Sequence, residues 1–98
     1  MKQTIHLSDF RDAFIRAGRK ENFSYDGLEV LFDYLEEIDP EYELDVIEIC
    51  CGYEEMTLEE INEAYDEEFE TLTAVTAWLE GNTMVCGTTD SSVVFAEY

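Results

Sequence analysis

The sequence has no lysine or arginine after residue 20. All five basic residues lie among the first twenty positions, where two acids reduce the net charge to +3, whereas residues 21–98 hold 23 aspartates and glutamates and carry −23. Most of these carboxylates cannot have a salt-bridge partner. A surface of this charge repels phosphate chains, so we expect no direct binding of DNA or RNA. Solubility alone requires about 2 to 8 charges, so the excess indicates a function.

Residue types that commonly carry catalysis are also scarce. The only histidine is His6, and the three cysteines, Cys50, Cys51 and Cys86, form no CxxC pair, which argues against a zinc site and a disulfide framework. Adjacent cysteines within an apolar run are typical of core residues rather than of a nucleophile. The sequence also lacks a glycine-rich phosphate loop and a Gly-x-Ser-x-Gly motif. We therefore predict a protein that is not an enzyme, with no catalytic residue and no cofactor.

One acidic segment has part of the spacing of a calcium-binding loop. Residues 39, 41, 43 and 45 are all acidic. An EF-hand loop needs glycine at its sixth position and glutamate at its twelfth, where this chain has Leu44 and Cys50. We therefore predict no dedicated metal site.

Long apolar runs are missing as well, so the sequence indicates neither a signal peptide nor a membrane span. The unpaired cysteines fit a reducing cytoplasm. With 98 residues, 46% of them apolar and 13% aromatic, the chain is long enough for one folded domain and not for two. We predict a single acidic domain over residues 1–98.

Helical periodicity, cap residues and turn signals predict an α+β domain with about four helices on a small, mainly antiparallel sheet, in the order α-α-β-α-α-β-β. The predicted elements are a helix from Asp9 to about Ala17 capped by Ser8, a helix capped by Ser24 or Tyr25 and ending at Asp39, a strand over residues 43–53, a helix over residues 57–70, a helical segment over residues 71–80, and a terminal hairpin of residues 83–87 and 92–96. Whether residues 57–80 form one helix or two is left open. We expect Arg11 and Arg16 to dock onto the acidic body of the domain.

The segment of residues 57–70 is the most acidic part of the chain, with seven carboxylates and Glu55 just before it. Its apolar positions, Leu58, Ile61, Tyr65 and Phe69, form one helical stripe, which leaves the carboxylates on the remaining surface. A capping box of Thr57 and Glu60 predicts where the helix begins.

Two rows of carboxylates are candidates for binding a partner. Carboxylates four residues apart on a helix are separated by about 6 Å, which is similar to the spacing of phosphates along a duplex strand. Such a row could occupy a groove that holds nucleic acid; the alternatives are an ordinary solvated helix face and halophilic adaptation. We expect an apolar or aromatic side chain, such as Tyr53, Tyr65 or Tyr98, to add specificity. The candidate carboxylates are Glu29, Asp33 and Glu37 on one helix and Glu59, Glu63 and Glu67 on another.

Residues 22–36 (NFSYDGLEVLFDYLE) and 43–53 (ELDVIEICCGY) together resemble a family of small acidic proteins encoded by bacteriophages and prophages, which carry FSYxGLxxLFxYLE and ELDVIxxCCxY segments. The resemblance implies a phage origin and a location in the bacterial cytoplasm. Small acidic phage proteins include inhibitors of host defence, such as anti-CRISPR and anti-restriction proteins. The two segments have no known catalytic role, so the resemblance assigns no active-site residue.

Charge and resemblance together predict an inhibitor that mimics nucleic acid and blocks a basic, nucleic-acid-binding host protein, either a CRISPR effector or a restriction component. The alternative is an antitoxin-like or regulatory protein that neutralises one dedicated partner without mimicry. Binding that weakens steeply with salt would favour the first, and binding that survives high salt would favour the second. A homodimer is possible in either case.

Overall fold

The computed structural model describes residues 5–19 and 21–97, which form an α+β domain, as the sequence predicts. Within these residues the elements are α1 (Leu7–Arg16), α2 (Tyr25–Ile38), α3 (Val46–Gly52), β1 (Tyr53–Thr57), α4 (Leu58–Tyr65), α5 (Leu72–Glu80), β2 (Val85–Thr88) and β3 (Ser92–Ala96). The order is therefore α-α-α-β-α-α-β-β, with five helices where about four were expected. Among the described residues, no helix combines the length and apolar character needed to cross a membrane.

The two N-terminal helices begin and end at cap residues. The N-cap of α1 is His6, whose backbone N–H donates to Asp9 Oδ2 at 3.0 Å, so the predicted cap, Ser8, lies inside the helix. The helix ends in a Schellman motif after its C-cap, Ala17. Gly18 adopts a φ of 73°, and the Arg19 N–H donates to the Phe14 carbonyl oxygen. The predicted cap of α2, Ser24, is confirmed: its hydroxyl accepts the Gly27 N–H at 2.9 Å.

The predicted strand over residues 43–53 is wrong, because most of this segment forms α3. Asp45 caps the helix by accepting the Glu48 N–H at 3.1 Å, and only Ile49 in it is fully buried. The β-branched residues suggested a strand, but a cap and a one-sided buried face stabilise a helix here. The first strand is β1 instead, which begins at Tyr53, where the predicted strand ends.

The three strands form an antiparallel sheet in the order β1-β3-β2, and the predicted terminal hairpin is confirmed. The central strand, β3, is buried along almost its whole length. Because side chains alternate along a strand, Val94 points to one face of the sheet, and Val93 and Phe95 point to the other.

Helices cover both faces of the sheet. On the Val94 face, side chains of α1, α2 and α3 form the larger core cluster, and on the other face α4 and α5 pack Ile61, Val75 and Leu79 against the sheet. We call these the α1–α3 layer and the α4–α5 layer. The buried members of the larger cluster are Phe10, Phe14, Phe23, Leu28, Leu31, Leu35, Ile49 and Val94.

The predicted helix over residues 57–70 is about half as long as expected. Its capping box is confirmed: Thr57 N–H donates to Glu60 Oε1 and Glu60 N–H donates to Thr57 Oγ1. The helix ends at Tyr65 because Asp66 adopts a left-handed conformation with a φ of 54°. Residues 57–80 therefore form two helices, and α5 begins after its own N-cap, Thr71.

Candidate protein-binding surfaces

The carboxylates of the α2 row, Glu29, Asp33 and Glu37, are all exposed. They lie on the side of α2 opposite Leu28, Leu31 and Leu35, which pack into the core. One of the three is partly neutralised within the chain, because Arg11 Nη2 lies 3.7 Å from Glu29 Oε1. The α2 row therefore presents a weaker field to a partner than its sequence suggests.

Arg11 binds the beginning of α2 in three ways. Its Nε and Nη2 donate to the Tyr25 carbonyl oxygen at 3.2 and 2.6 Å, and its guanidinium lies over the Tyr25 ring, 3.3 Å from the centroid. The third contact is the ion pair with Glu29. The expected docking of Arg11 onto the acidic body is thus confirmed, whereas Arg16 is exposed on the outer side of α1.

The α4 row of Glu59, Glu63 and Glu67 does not form one helical line. Glu59 and Glu63 are exposed on α4, but Glu67 follows the end of the helix. It belongs to residues 66–70, which hold four exposed carboxylates and which we call the acidic loop. The row continues into this loop rather than along the helix, so the geometry predicted for Glu67 is wrong.

The acidic loop is held in place by one side chain of α4. Asn62 Nδ2 donates to Phe69 O and Asn62 Oδ1 accepts the Phe69 N–H, both at 2.9 Å. The Asn62 carbonyl oxygen also accepts the Glu67 N–H at 3.0 Å. Phe69 packs on Trp78 with the ring centroids 5.4 Å apart, which anchors the far end of the loop on α5. The loop carboxylates therefore project from an ordered backbone.

The two candidate rows lie in different layers of the domain. The α2 row is in the α1–α3 layer and the α4 row is in the α4–α5 layer, with the sheet between them. A single flat surface of a partner cannot contact both rows. The sequence pattern did not distinguish the two rows as binding surfaces. In the fold, one flat partner surface can contact either the α2 row or the α4 row, but not both.

Carboxylates also occupy helix ends where cations would be more stable. The last turns of α2, α4 and α5 contain Glu37, Glu63 and Glu80 and no basic residue. The C-terminal end of a helix carries a partial negative charge, so each of these glutamates weakens the fold by roughly 0.3–1 kcal/mol. These three carboxylates therefore lie where the helix dipole opposes them.

The two candidate tyrosines that the structure describes are only partly accessible to a partner. Tyr53 is half-buried, with its ring centroid 6.1 Å from that of Tyr34, and Tyr65 is half-buried with its ring 5.3 Å from that of Trp78. Both contribute to the core clusters, and Tyr98 lies outside the described residues. Among the described residues, the most exposed large apolar side chain is that of Tyr25, 72% exposed, which the sequence analysis did not select. The sequence signal for the exposure of Tyr25 was its position directly after the N-cap of α2, outside the stripe of buried residues.

Glu55 has a structural role that the sequence did not reveal. It projects from β1 toward α2, where Oε1 accepts the Ser24 N–H and Oε2 accepts the hydroxyls of Ser24 and Ser92. A Cβ atom at position 27 would lie 2.0 Å from Oε1, so Gly27 lets the carboxylate approach the helix. Although it precedes the acidic helix in sequence, Glu55 is not part of that helix's exposed acidic surface.

Burial raises the pKa values of several half-buried groups, among them a glutamate and a cysteine of the sheet. Burial, together with the charge of Glu97, raises the pKa of Glu54 on β1. Burial raises the pKa of the Cys86 thiol to about 12, so this cysteine is a core residue rather than a nucleophile. In the described part of the chain, no three His, Cys, Asp or Glu side chains are placed to hold a metal ion.

Comparisons with known proteins give no relative for this chain. No protein-family model, no curated protein and no solved structure matches it. The resemblance of residues 22–36 and 43–53 to a family of phage proteins therefore stays a prediction, although the fold gives Ser24 and Gly27 of that motif a physical reason, the binding of Glu55.

Proposed function

We propose that this protein is a non-enzymatic inhibitor that covers the nucleic-acid-binding surface of a basic bacterial protein, a CRISPR effector or a restriction component. The contact surface is the α4–α5 layer, where α4 and the acidic loop present seven exposed carboxylates within twelve residues. These carboxylates are Glu59, Glu60, Glu63, Asp66, Glu67, Glu68 and Glu70.

The position of the arginines favours this surface over the α2 row. The chain's three arginines lie in α1 and directly after it, on the other side of the sheet from α4. Arg11 neutralises part of the α2 row, but residues 58–80 contain no lysine or arginine. Lysine and arginine side chains on a partner are the groups that would neutralise this surface.

The shape of the surface supports mimicry of a phosphate chain. Glu59 and Glu63 are one helical turn apart, about 6 Å along the axis. Beyond the helix, the two hydrogen bonds between the Asn62 side chain and the Phe69 backbone, which we call the Asn62 clamp, fix the segment that carries Glu67 and Glu68, so the row of charges bends after Asp66. A preorganised row loses less conformational entropy on binding than a flexible acidic tail does.

The experiment measures displacement of nucleic acid from candidate targets. Purified CRISPR effectors and restriction enzymes are each bound to a labelled duplex, and release is followed by fluorescence anisotropy as this protein is added at several salt concentrations. For its target, we expect competitive release whose apparent affinity falls steeply with salt, because ion pairs to exposed carboxylates are screened.

Two variants of equal charge change locate the contact. Replacing Glu59, Glu63 and Glu67 by glutamine removes three charges from the α4–α5 layer, and replacing Glu29, Asp33 and Glu37 by Gln, Asn and Gln removes three from the other layer. Long-range steering changes equally in both. We expect the first variant to lose at least about tenfold in affinity, as for 1.4 kcal/mol of contact energy, and the second to lose little. Equal losses, or binding that is insensitive to salt, would contradict the proposal and favour a dedicated partner bound without mimicry.

A further inference from the structure

The outer side of α1 differs in charge from the rest of the chain. Residues 5–19 hold three arginines and two aspartates, a net charge of +1, whereas residues 21–97 carry −23. Two copies of this chain that meet through α2 or α4 place carboxylates against carboxylates. Contact through α1 avoids this repulsion, so α1 is the surface most suited to a second copy.

This surface also has an exposed apolar side chain, Ile15, which we call the knob, beside a cleft. A cleft of about 330 Å³ lies between α1 and the beginning of α2, with Phe23 and Leu28 among its lining residues. Ile15 and Tyr25 line it as well and are 56% and 72% exposed, among the most exposed large apolar side chains of the described chain. Arg11, fixed by its bonds to the Tyr25 carbonyl, forms a rigid part of the cleft wall.

Charges of both signs flank the knob in a self-complementary pattern. Asp12 and Arg16 are exposed on α1, one helical turn apart, on either side of Ile15 along the helix. If two α1 helices cross antiparallel about a two-fold axis at the level of residue 14, Asp12 of each copy faces Arg16 of the other. The two Ile15 side chains then lie within about 3 Å of each other along the axis, next to the two clefts. A two-fold interface requires this kind of self-complementarity.

We propose that the outer side of α1, with the cleft beside it, is the contact of a two-fold symmetric homodimer. A ten-residue helix gives an interface smaller than the roughly 1,200 Å² of a stable complex, so we expect a weak dimer that forms only at high protein concentration. Because α4 lies on the opposite side of the sheet from α1, the acidic surface of the α4–α5 layer stays accessible in each copy of the dimer. This inference does not depend on the proposed function.

The dimer has a salt dependence opposite to that of binding to a basic partner. Two chains of −20 repel over long distances, and the Debye length falls from about 30 Å at 0.01 M salt to about 3 Å at 1 M. Sedimentation velocity at about 200 µM protein should therefore show monomer at 0.01 M NaCl and an increasing dimer fraction up to 1 M. Monomer at every salt concentration would overturn the proposal.

Substitutions test the position of the interface. We expect Ile15→Asp to weaken the dimer at least about tenfold at 0.5 M NaCl. The control is Ile47→Asp on α3, where the isoleucine is 50% exposed against 56% for Ile15, and it should leave the dimer intact. Asp12→Arg should also weaken it, and the double variant Asp12→Arg with Arg16→Asp should restore it, because the pattern is reciprocal. All four sites are exposed, and circular dichroism confirms folding. A dimer that survives Ile15→Asp, or that Ile47→Asp abolishes, contradicts this interface.

Discussion

The two helical layers pack on the same sheet and are both acidic, but they differ in how their charge is compensated. On the side of the α1–α3 layer, the core cluster has eight buried residues, including Val94 of the sheet, and Arg11 pairs with Glu29. On the side of the α4–α5 layer, the cluster has five buried residues, including Val93 and Phe95 of the sheet, and the layer has no basic residue and the densest run of carboxylates. The first layer carries more of the stability, and the second carries unpaired charge that a partner can use. The four predictions below test this difference, from the largest expected effect to the smallest.

The first prediction concerns Glu55, which ties the sheet to the beginning of α2. Replacing Glu55 by alanine removes the acceptor of the Ser24 N–H and of two hydroxyl groups, of which that of Ser92 is partly buried and that of Ser24 is exposed. We expect the free energy of unfolding to fall by about 3 kcal/mol, as for the loss of hydrogen bonds to a charged group. Urea denaturation measures it. Glu59→Ala, which removes the same charge from the α4–α5 layer, should change stability little, and similar losses in both variants would refute the structural role of Glu55.

The second prediction concerns Arg11, the arginine that stabilises the α1–α3 layer. Arg11→Met keeps an apolar stem but loses the two hydrogen bonds to the Tyr25 carbonyl, the contact with the Tyr25 ring and the pair with Glu29. We expect a loss of about 2 kcal/mol in thermal or urea unfolding. Arg11→Lys should recover only part of it, because lysine cannot donate in a fork.

A double-mutant cycle separates the ion pair from the other contacts of Arg11. The Glu29 side chain is 55% exposed, so its coupling to Arg11 should be below about 1 kcal/mol. A coupling of 2 kcal/mol or more would mean that the ion pair, rather than the Tyr25 contacts, holds α1 in place.

The third prediction compares helix ends in the two layers. Glu37→Lys on α2 and Glu63→Lys on α4 both place a cation at the C-terminal end of a helix, so each should stabilise the fold by about 0.5–1 kcal/mol. The gain should be larger for Glu63, because no arginine lies in its layer. Melting temperatures in low salt measure both gains, and 0.5 M NaCl should remove most of the difference. A destabilised Glu63→Lys would contradict the view that this charge opposes folding.

The fourth prediction uses the raised pKa of Glu54, which results from burial and the nearby Glu97. The native state keeps this proton at pH values where the unfolded chain, with a pKa of about 4.3, has lost it. Stability from this group is therefore present at low pH and is lost as pH rises through the native pKa. Glu54→Gln should therefore gain stability relative to the parent as pH rises from 4 to 7, and the gain should be small because solvent screens this partly accessible carboxylate. An equal gain at both pH values would show that the difference in stability does not come from the titration of Glu54.

Much of the fold could be predicted from local signals. The cap of α2 at Ser24, the capping box of Thr57 and Glu60, the stop at Gly18 and the terminal hairpin all depend on residues within a few positions of one another. Such signals act on nearby backbone groups, so they can be recognised in the sequence without knowing which distant segment packs against them. The predicted strand over residues 43–53 failed because β-branched residues suit a strand, while the Asp45 cap favours a helix.

The candidate site was predicted only in part. The exposed carboxylates were identified correctly, since apolar periodicity places them off the buried stripe. Glu67 was placed on a helix that ends two residues before it, because the left-handed Asp66 and the Asn62 clamp depend on how the loop returns to α5. Tyr53 and Tyr65 were predicted to contact a partner, and both pack against aromatic rings from other elements.

The sequence by itself determined the separation of charge, the absence of catalytic motifs and most of the helix boundaries, because composition and local capping do not depend on long-range contacts. Only the tertiary structure decided that the two acidic rows lie on opposite sides of the sheet. It also decided that Arg11 compensates one of them and that Glu55 serves the fold. These are contacts between residues 14 to 37 positions apart, and pairing at such distances is specified by packing rather than by local pattern.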